Sequence, residues 1–274
     1  MCKIAILTRH DPAKLREIVL KTWQAMASTE RDGFGACWLN PSNKIQTVHS
    51  SSAREQEENP DFIEGFWKGD FTPSNGGPLL IHGRTATCEV NLMNTHPLVE
   101  DNRALIHNGI VSSDVYQNVH STNDSELLLH AWADGIDALE RDISGYYAFA
   151  NLKTNRRSWT LDIVRDSRAK LVAGRLSDLV GDDVGFAFAT TDAVLTATGA
   201  KRCGKVRDDV WVRYRGLKHV HTKNICPRMV TFTKAQCSLA DRSLGSGYNR
   251  GGYYGQPAAT EYKETALPQG EMFL

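Results

Sequence analysis

The second residue of the chain is a cysteine, Cys2, directly after Met1. An initiator methionine is usually trimmed when the next residue is small, which would leave Cys2 as the first residue. A terminal Cys holds a thiol and a free α-amine within reach of each other. The amine has a pKa of about 7.7–8.0, so it can serve as base for its own nucleophile. Taken alone, Cys2 reads more readily as a small buried hydrophobe with no role. Three further segments place polar groups where a strand or loop ends. His82-Gly83-Arg84-Thr85-Ala86-Thr87 sets an Arg in a run of small residues. Leu105-Ile106-His107-Asn108-Gly109-Ile110 leads an apolar run into Asn-Gly, and Thr122-Asn123-Asp124-Ser125-Glu126 puts a carboxylate before a helical pattern. Each has a plainer reading: Arg84 in a surface ion pair, Asn108-Gly109 as a turn, Asp124 as a helix N-cap.

The elements that must position these residues are mostly strands. Apolar runs of strand length recur at 3–7, 36–39, 44–49, 79–83, 103–110, 146–152, 158–165, 171–174, 185–190, 210–214 and 228–233. Several are apolar on both faces, which suits strands covered on both sides. A first helix is expected over about 12–27, with Asp11 as N-cap, Pro12 in its first turn and Leu15, Ile18, Val19, Trp23 and Met26 as one stripe. A second follows Asn123-Asp124, with Leu129, Trp132, Ile136 and Leu139 in helical spacing, and a short one follows Thr191-Asp192. Strands with helices inserted early and in the middle make an α+β chain: two sheets face to face, with helices outside. The Gly- and Tyr-rich stretch 238–274 has no periodicity and reads as a flexible tail after a domain over 2–237.

Composition narrows the function classes. The 274 residues carry 32 Lys and Arg against 32 Asp and Glu, and zero net charge argues against a general polyanion binder. No apolar run nears the roughly 20 residues that span a bilayer, and the first residues do not read as a signal peptide. A cytoplasmic protein with six reduced cysteines is expected. His219, His221 and Cys226 have no metal-ligand spacing, so no metal and no cofactor are expected. The stretch 201–228 holds nine Lys and Arg against two Asp; it reads as a solvated edge hairpin before a docking face.

In order and spacing, the chemical segments resemble the class II glutamine amidotransferases, of the N-terminal-nucleophile hydrolase superfamily. That family begins Met-Cys-Gly-Ile, and this chain begins Met1-Cys2-Lys3-Ile4. The family's His-Thr-Arg-Trp-Ala-Thr is similar to residues 82–87, its Asn-x-His-Pro to Asn94-Thr95-His96-Pro97, and its His-Asn-Gly-Ile-Ile to residues 107–111. Its Asp-Thr-Glu is similar to Asp124-Ser125-Glu126, and its Leu-x-Gly-x-Tyr-Ala-Phe to residues 143–149. Arg165-Asp166 and Thr191-Asp192 stand where the family has comparable pairs, so the resemblance runs from Cys2 to about Ala197.

The resemblance implies a four-layer αββα sandwich and an enzyme that takes L-glutamine as substrate. Cys2 would be the nucleophile, with Asn108 and Gly109 as the oxyanion hole. Arg84 and Thr87 would hold the substrate, Arg84 through its carboxylate, and Asp124 would take the substrate ammonium. His96 and His107 would be structural, since the α-amine has the base role. The ammonia acceptor would be a separate synthetase or transferase, because the resemblance nearly exhausts the chain. A stand-alone hydrolase of another γ-glutamyl or acyl amide is the alternative, and a nucleic-acid module is disfavoured by the intact site set. Three departures stand out: Lys3 for Gly, Thr85 for a bulky aromatic, and Cys88-Glu89 after Thr87.

Overall fold

The computed structural model describes residues 2–50, 73–155, 157–176, 185–216 and 218–226. The expected strand at 228–233 and the expected tail lie outside the described residues. A first sheet has seven antiparallel strands: β1 (Lys3–Leu7), β2 (Phe34–Leu39), β3 (Ile45–Ser50), β4 (Leu79–Gly83), β9 (Val172–Leu176), β10 (Gly185–Ala189) and β11 (Lys201–Lys205). Its order is β11-β9-β10-β1-β4-β2-β3. A second has six: β5 (Leu98–Glu100), β6 (Arg103–Ser112), β7 (Ser144–Thr154), β8 (Trp159–Arg165), β12 (Val210–Arg215) and β13 (Lys218–Asn224). Its order is β13-β12-β8-β7-β6-β5.

The period of two along each strand sorts the side chains into layers. Ile4 and Ile6 of β1, Leu80 of β4 and Cys37 of β2 meet Ala104 and Ile106 of β6, Ala148 and Ala150 of β7 and Ile163 of β8 in one buried cluster. That cluster is the core between the sheets. The opposite face of the first sheet (Ala5, Leu7, Leu79, Ile81) packs on helix α1 (Leu15–Ala27) through Val19, Trp23 and Met26, and on α4 (Asp192–Ala197). The outer face of the second sheet (Leu105, Tyr147, Phe149, Val164) packs on α2 (Ser125–Asp134) and α3 (Ile136–Asp142). These three apolar layers make the expected αββα sandwich.

Local chemistry explains the departures from expectation. The first helix opens as a 3-10 turn, Pro12–Lys14, with the Asp11 carboxylate accepting from Ala13 N at 2.9 Å. The second helical pattern splits into α2 and α3 at Gly135, whose φ of +106° ends the first. Asp124 stands at the N-cap of α2, but its side chain makes no cap bond. Asn123 caps instead, its Oδ1 accepting from Ser125 N at 3.1 Å. Thr191 caps α4 by accepting from Val194 N. The basic stretch does lie at edges, yet at two different ones: β11 ends the first sheet and β13 the second.

Candidate active site

Cys2 precedes β1 and shares the parity of Ile4 and Ile6, which face the inter-sheet core. β1 pairs antiparallel with β4, Lys3 opposite Gly83 and Ile4 opposite His82. One step further along both chains come Cys2 and Arg84, side by side. The Cys2 thiol donates to Thr85 O at 3.4 Å. On the facing sheet, Asn108 has the parity of Ala104 and Ile106, so it too faces inward. The His82 imidazole spans the two sheets: its Nε2 donates to His107 O at 3.1 Å, one residue before Asn108. The parity of three strands, β1, β4 and β6, therefore brings Cys2, His82, Arg84 and Asn108 to one end of the core.

The start of α2 is tied to the same place. His107 has the outward parity, and its Nδ1 meets Ser125 Oγ at 2.8 Å. The Asp124 carboxylate accepts from Val111 N at 2.8 Å. Glu126 accepts from the backbone N–H groups of Val119, His120 and Ser121 at 2.8–2.9 Å, and so pins the loop before the helix. Burial works against its ionised form, but those bonds bring its pKa below the usual carboxylate value.

Arg84 is buried, and one end of its guanidinium is anchored. Nη2 donates to Cys88 O and Cys88 Sγ at 3.2 Å and to Glu89 O at 2.9 Å. The departure at Cys88-Glu89 thus holds the arginine. Nη1 has no partner. A buried cation with an open donor end is costly unless an anion fills the place. The backbone around it is fixed by Asp32, which accepts from Ala86 N at 2.8 Å, and by the Arg84 N to Gly33 O bond at 2.8 Å. Lys3 is explained the same way: its Nζ pairs with buried Glu30 at 2.8 Å. Thr87 is exposed at the rim.

Electrostatics separates the roles these groups can take. Burial raises the Cys2 thiol to about 11, against the pull of its bond to Thr85 and of the Arg84 charge. At neutral pH the thiol is protonated, so a nucleophilic Cys2 requires a base. The imidazoles do not suit that need. Burial lowers His82 and His107 to about 3 and His96 well below its usual value. They stand as neutral rings, His82 and His96 with centroids 4.2 Å apart. Burial also raises Asp124 to about 6, and the fields of both Asp124 and Arg84 reach the thiol.

Gly109 leaves no room for a side chain. Its φ is +156°, and a Cβ would lie 2.0 Å from Tyr146 O. Asn108 is buried, with Oδ1 unpartnered among the described residues. The structure thus gathers Cys2, Arg84, Asn108, Gly109 and Asp124, and leaves Thr87 at the edge. Sequence reasoning missed Asp32, His82 as a cross-sheet tie, and Ser125. All three act through partners at least 18 residues away, which no local pattern reveals. Among the described residues no group of three or more His, Cys, Asp or Glu side chains could hold a metal ion.

No family model matches the sequence, and neither does any curated protein. Solved structures do match the fold. Glutamine phosphoribosylpyrophosphate amidotransferase from B. subtilis, complexed with ADP and GMP, aligns at a TM-score of 0.61 with 17% identity, over 81% of this chain and 49% of that one. The fold is that of a glutamine amidotransferase. A structure described as the allosteric regulatory enzyme of purine biosynthesis aligns with the same TM-score at 15% identity, again over 81% of this chain and 49% of the other. A glutamine aminotransferase class-II domain protein from Silicibacter pomeroyi aligns at 0.46 with 15% identity, over 82% of this chain and 100% of that one, too loosely to add to this. The chain spans about half the length of the first two structures. Among the described residues no helix is long and apolar enough to cross a membrane.

Proposed function

We propose that the protein is a glutaminase of the amidotransferase type, in which Cys2 attacks the side-chain amide of L-glutamine. The observation that carries this reading is the open Nη1 of buried Arg84 beside Cys2, together with the carboxylate of Asp124. An amino acid presents an anion and a cation on one carbon. A guanidinium and a carboxylate flanking a nucleophile match that pair, and the open Nη1 can donate a charge-assisted hydrogen bond to a carboxylate.

The chemistry proceeds from these groups. After Met1 is removed, the α-amine of Cys2 takes the thiol proton as sulfur adds to the amide carbon. The side-chain amide of Asn108 and the Gly109 N–H stabilise the oxyanion, a donor set whose loss typically costs about 2.7–4 kcal/mol per group. The amine returns its proton to nitrogen, ammonia leaves, and a γ-glutamyl thioester remains. Water attacks the thioester and releases glutamate and the thiol. His82 and His107 are positioning residues: uncharged, they fix the strand that carries Asn108 without adding a competing cation. Ammonia passes to an acceptor synthetase or transferase in trans. The domain runs over 2–237, in the cytoplasm, with 238–274 as a tail. Release of glutamate and ammonia from L-glutamine, lost in Cys2→Ala, tests this reading.

A further inference from the structure

The outer face of the second sheet is only partly covered. α2 and α3 pack over Tyr147, Phe149, Val164 and Trp211. At Gly135 the chain turns from α2 into α3, and beyond that turn lies a cleft of about 580 Å³. Its floor is two rows of residues set by strand register. One row is Asn151, Asp162 and Arg213, on β7, β8 and β12. The next is Arg103, Lys153, Thr160 and Arg215, on β6, β7, β8 and β12.

The charges in this cleft are unbalanced. Asp162 is the one acid among its lining residues, and it is already satisfied. It accepts from both Arg213 nitrogens at 2.6 and 2.9 Å and from the indole N–H groups of Trp132 and Trp211 at 3.0 and 2.9 Å. Arg103, Lys153 and Arg215 have no ion-pair partner among the described residues. At roughly 4.8 Å per strand, they span about 14 Å in one line. Asn151 is 1% exposed, lines the cleft, and its Oδ1 has no hydrogen-bond partner among the described residues. A buried amide oxygen left open calls for a hydrogen-bond donor, such as a hydroxyl of the ligand beside its phosphates.

We propose that this cleft is a binding site for a small molecule carrying two or more phosphate groups. A single negative charge would leave most of the line of cations unmatched, whereas a di- or triphosphate meets it, with Arg forks on phosphate oxygens. The volume falls within the roughly 300–1,000 Å³ of small-molecule sites. The cleft is bounded by the end of α2 on one side and by Asn155, Ser158 and Trp159 on the other, which favours a compact ligand over an extended chain. It is distinct from the Cys2 site: Arg103 lies five residues from Asn108 along β6, about 17 Å, and on the opposite face. The proposal does not depend on the glutaminase reading.

Isothermal titration of the full chain with inorganic pyrophosphate at fixed ionic strength tests it. Lys153 and Arg215 are exposed, so Lys153→Ala/Arg215→Ala is expected to keep the wild-type circular dichroism and melting temperature. Saturable one-site binding is expected, weakened at least about tenfold in the double variant and unchanged in Asn108→Ala. Equal binding by wild type and the double variant overturns the proposal, as does no binding at all. Tighter binding of a single-stranded oligonucleotide or an acidic peptide, lost in the same double variant, would assign the face to a macromolecule and overturn it too.

Discussion

His82 Nε2 donates to the carbonyl oxygen of His107 across 3.1 Å, and this bond joins the two sheets where the chemistry gathers. Two residues after His82 stands Arg84, and one after His107 stands Asn108. The bond therefore sets the distance between the proposed carboxylate clamp and the proposed oxyanion hole. Since His82 is the donor, its proton sits on Nε2, and its buried Nδ1 has no partner among the described residues.

Arg84 separates binding from chemistry. In Arg84→Lys the charge survives, but the anchored guanidinium and the Nη1 donor proposed to meet the substrate carboxylate do not. KM for glutamine is expected to rise about 10–100-fold while kcat changes little. Steady-state kinetics on L-glutamine measure it; an unchanged KM would remove Arg84 as the clamp.

Asn108 should behave in the opposite way. Its amide matters most when the oxyanion forms, so Asn108→Ala is expected to lower kcat about 10²–10³-fold with KM nearly constant. A loss confined to KM would place Asn108 in ground-state binding instead.

Asp124 predicts a pH dependence of known sign. Burial raises its pKa to about 6, so the carboxylate proposed to hold the substrate ammonium is protonated as pH falls through about 6. KM should rise below that pH, and Asp124→Asn should have a high KM without this step. The ionised form is disfavoured by folding, a penalty absent below the unfolded value of 3.8 and complete above about 6. Asp124→Asn should therefore melt no lower than wild type at pH 7, and any gain should vanish at pH 4. A lower melting temperature at pH 7 would show that the carboxylate is structural.

Lys3 should matter for stability. Its ammonium is the counter-charge of buried Glu30. Lys3→Ala is expected to destabilise by about 2–3 kcal/mol, less than the roughly 3–5 of a fully enclosed pair because the lysine is partly exposed. Lys3→Ala/Glu30→Gln should recover most of it, since no buried charge is then left alone. Urea unfolding of the three proteins gives the comparison.

The sequence shows the strands whose patterns are strongest, and β1 and β4 fall at their expected limits. It conceals β13, exposed along its length, because such a strand has no apolar face to alternate. It conceals β11 for the same reason and β5 because three residues are too few to show a period. The site residues are legible as motifs, yet their meeting is not. That depends on the shared parity of β1, β4 and β6 and on ties such as Asp32 to Ala86 and His107 to Ser125. The Asp124 side chain shows the limit most plainly. A carboxylate before a helix reads as a cap, and only the fold shows it turned toward Val111.

Glutamate release measured together with the intact mass is the most direct test. The thiol is protonated at neutral pH and the nearby imidazoles are held neutral, so a base is needed, and the proposed one is the α-amine of Cys2 itself. Protein lacking Met1 should convert L-glutamine to glutamate and ammonia, and a form that retains Met1 should be inactive, as should Cys2→Ala. Turnover of glutamine at full rate by protein that retains Met1 throughout, or by Cys2→Ala, would contradict the assignment of Cys2.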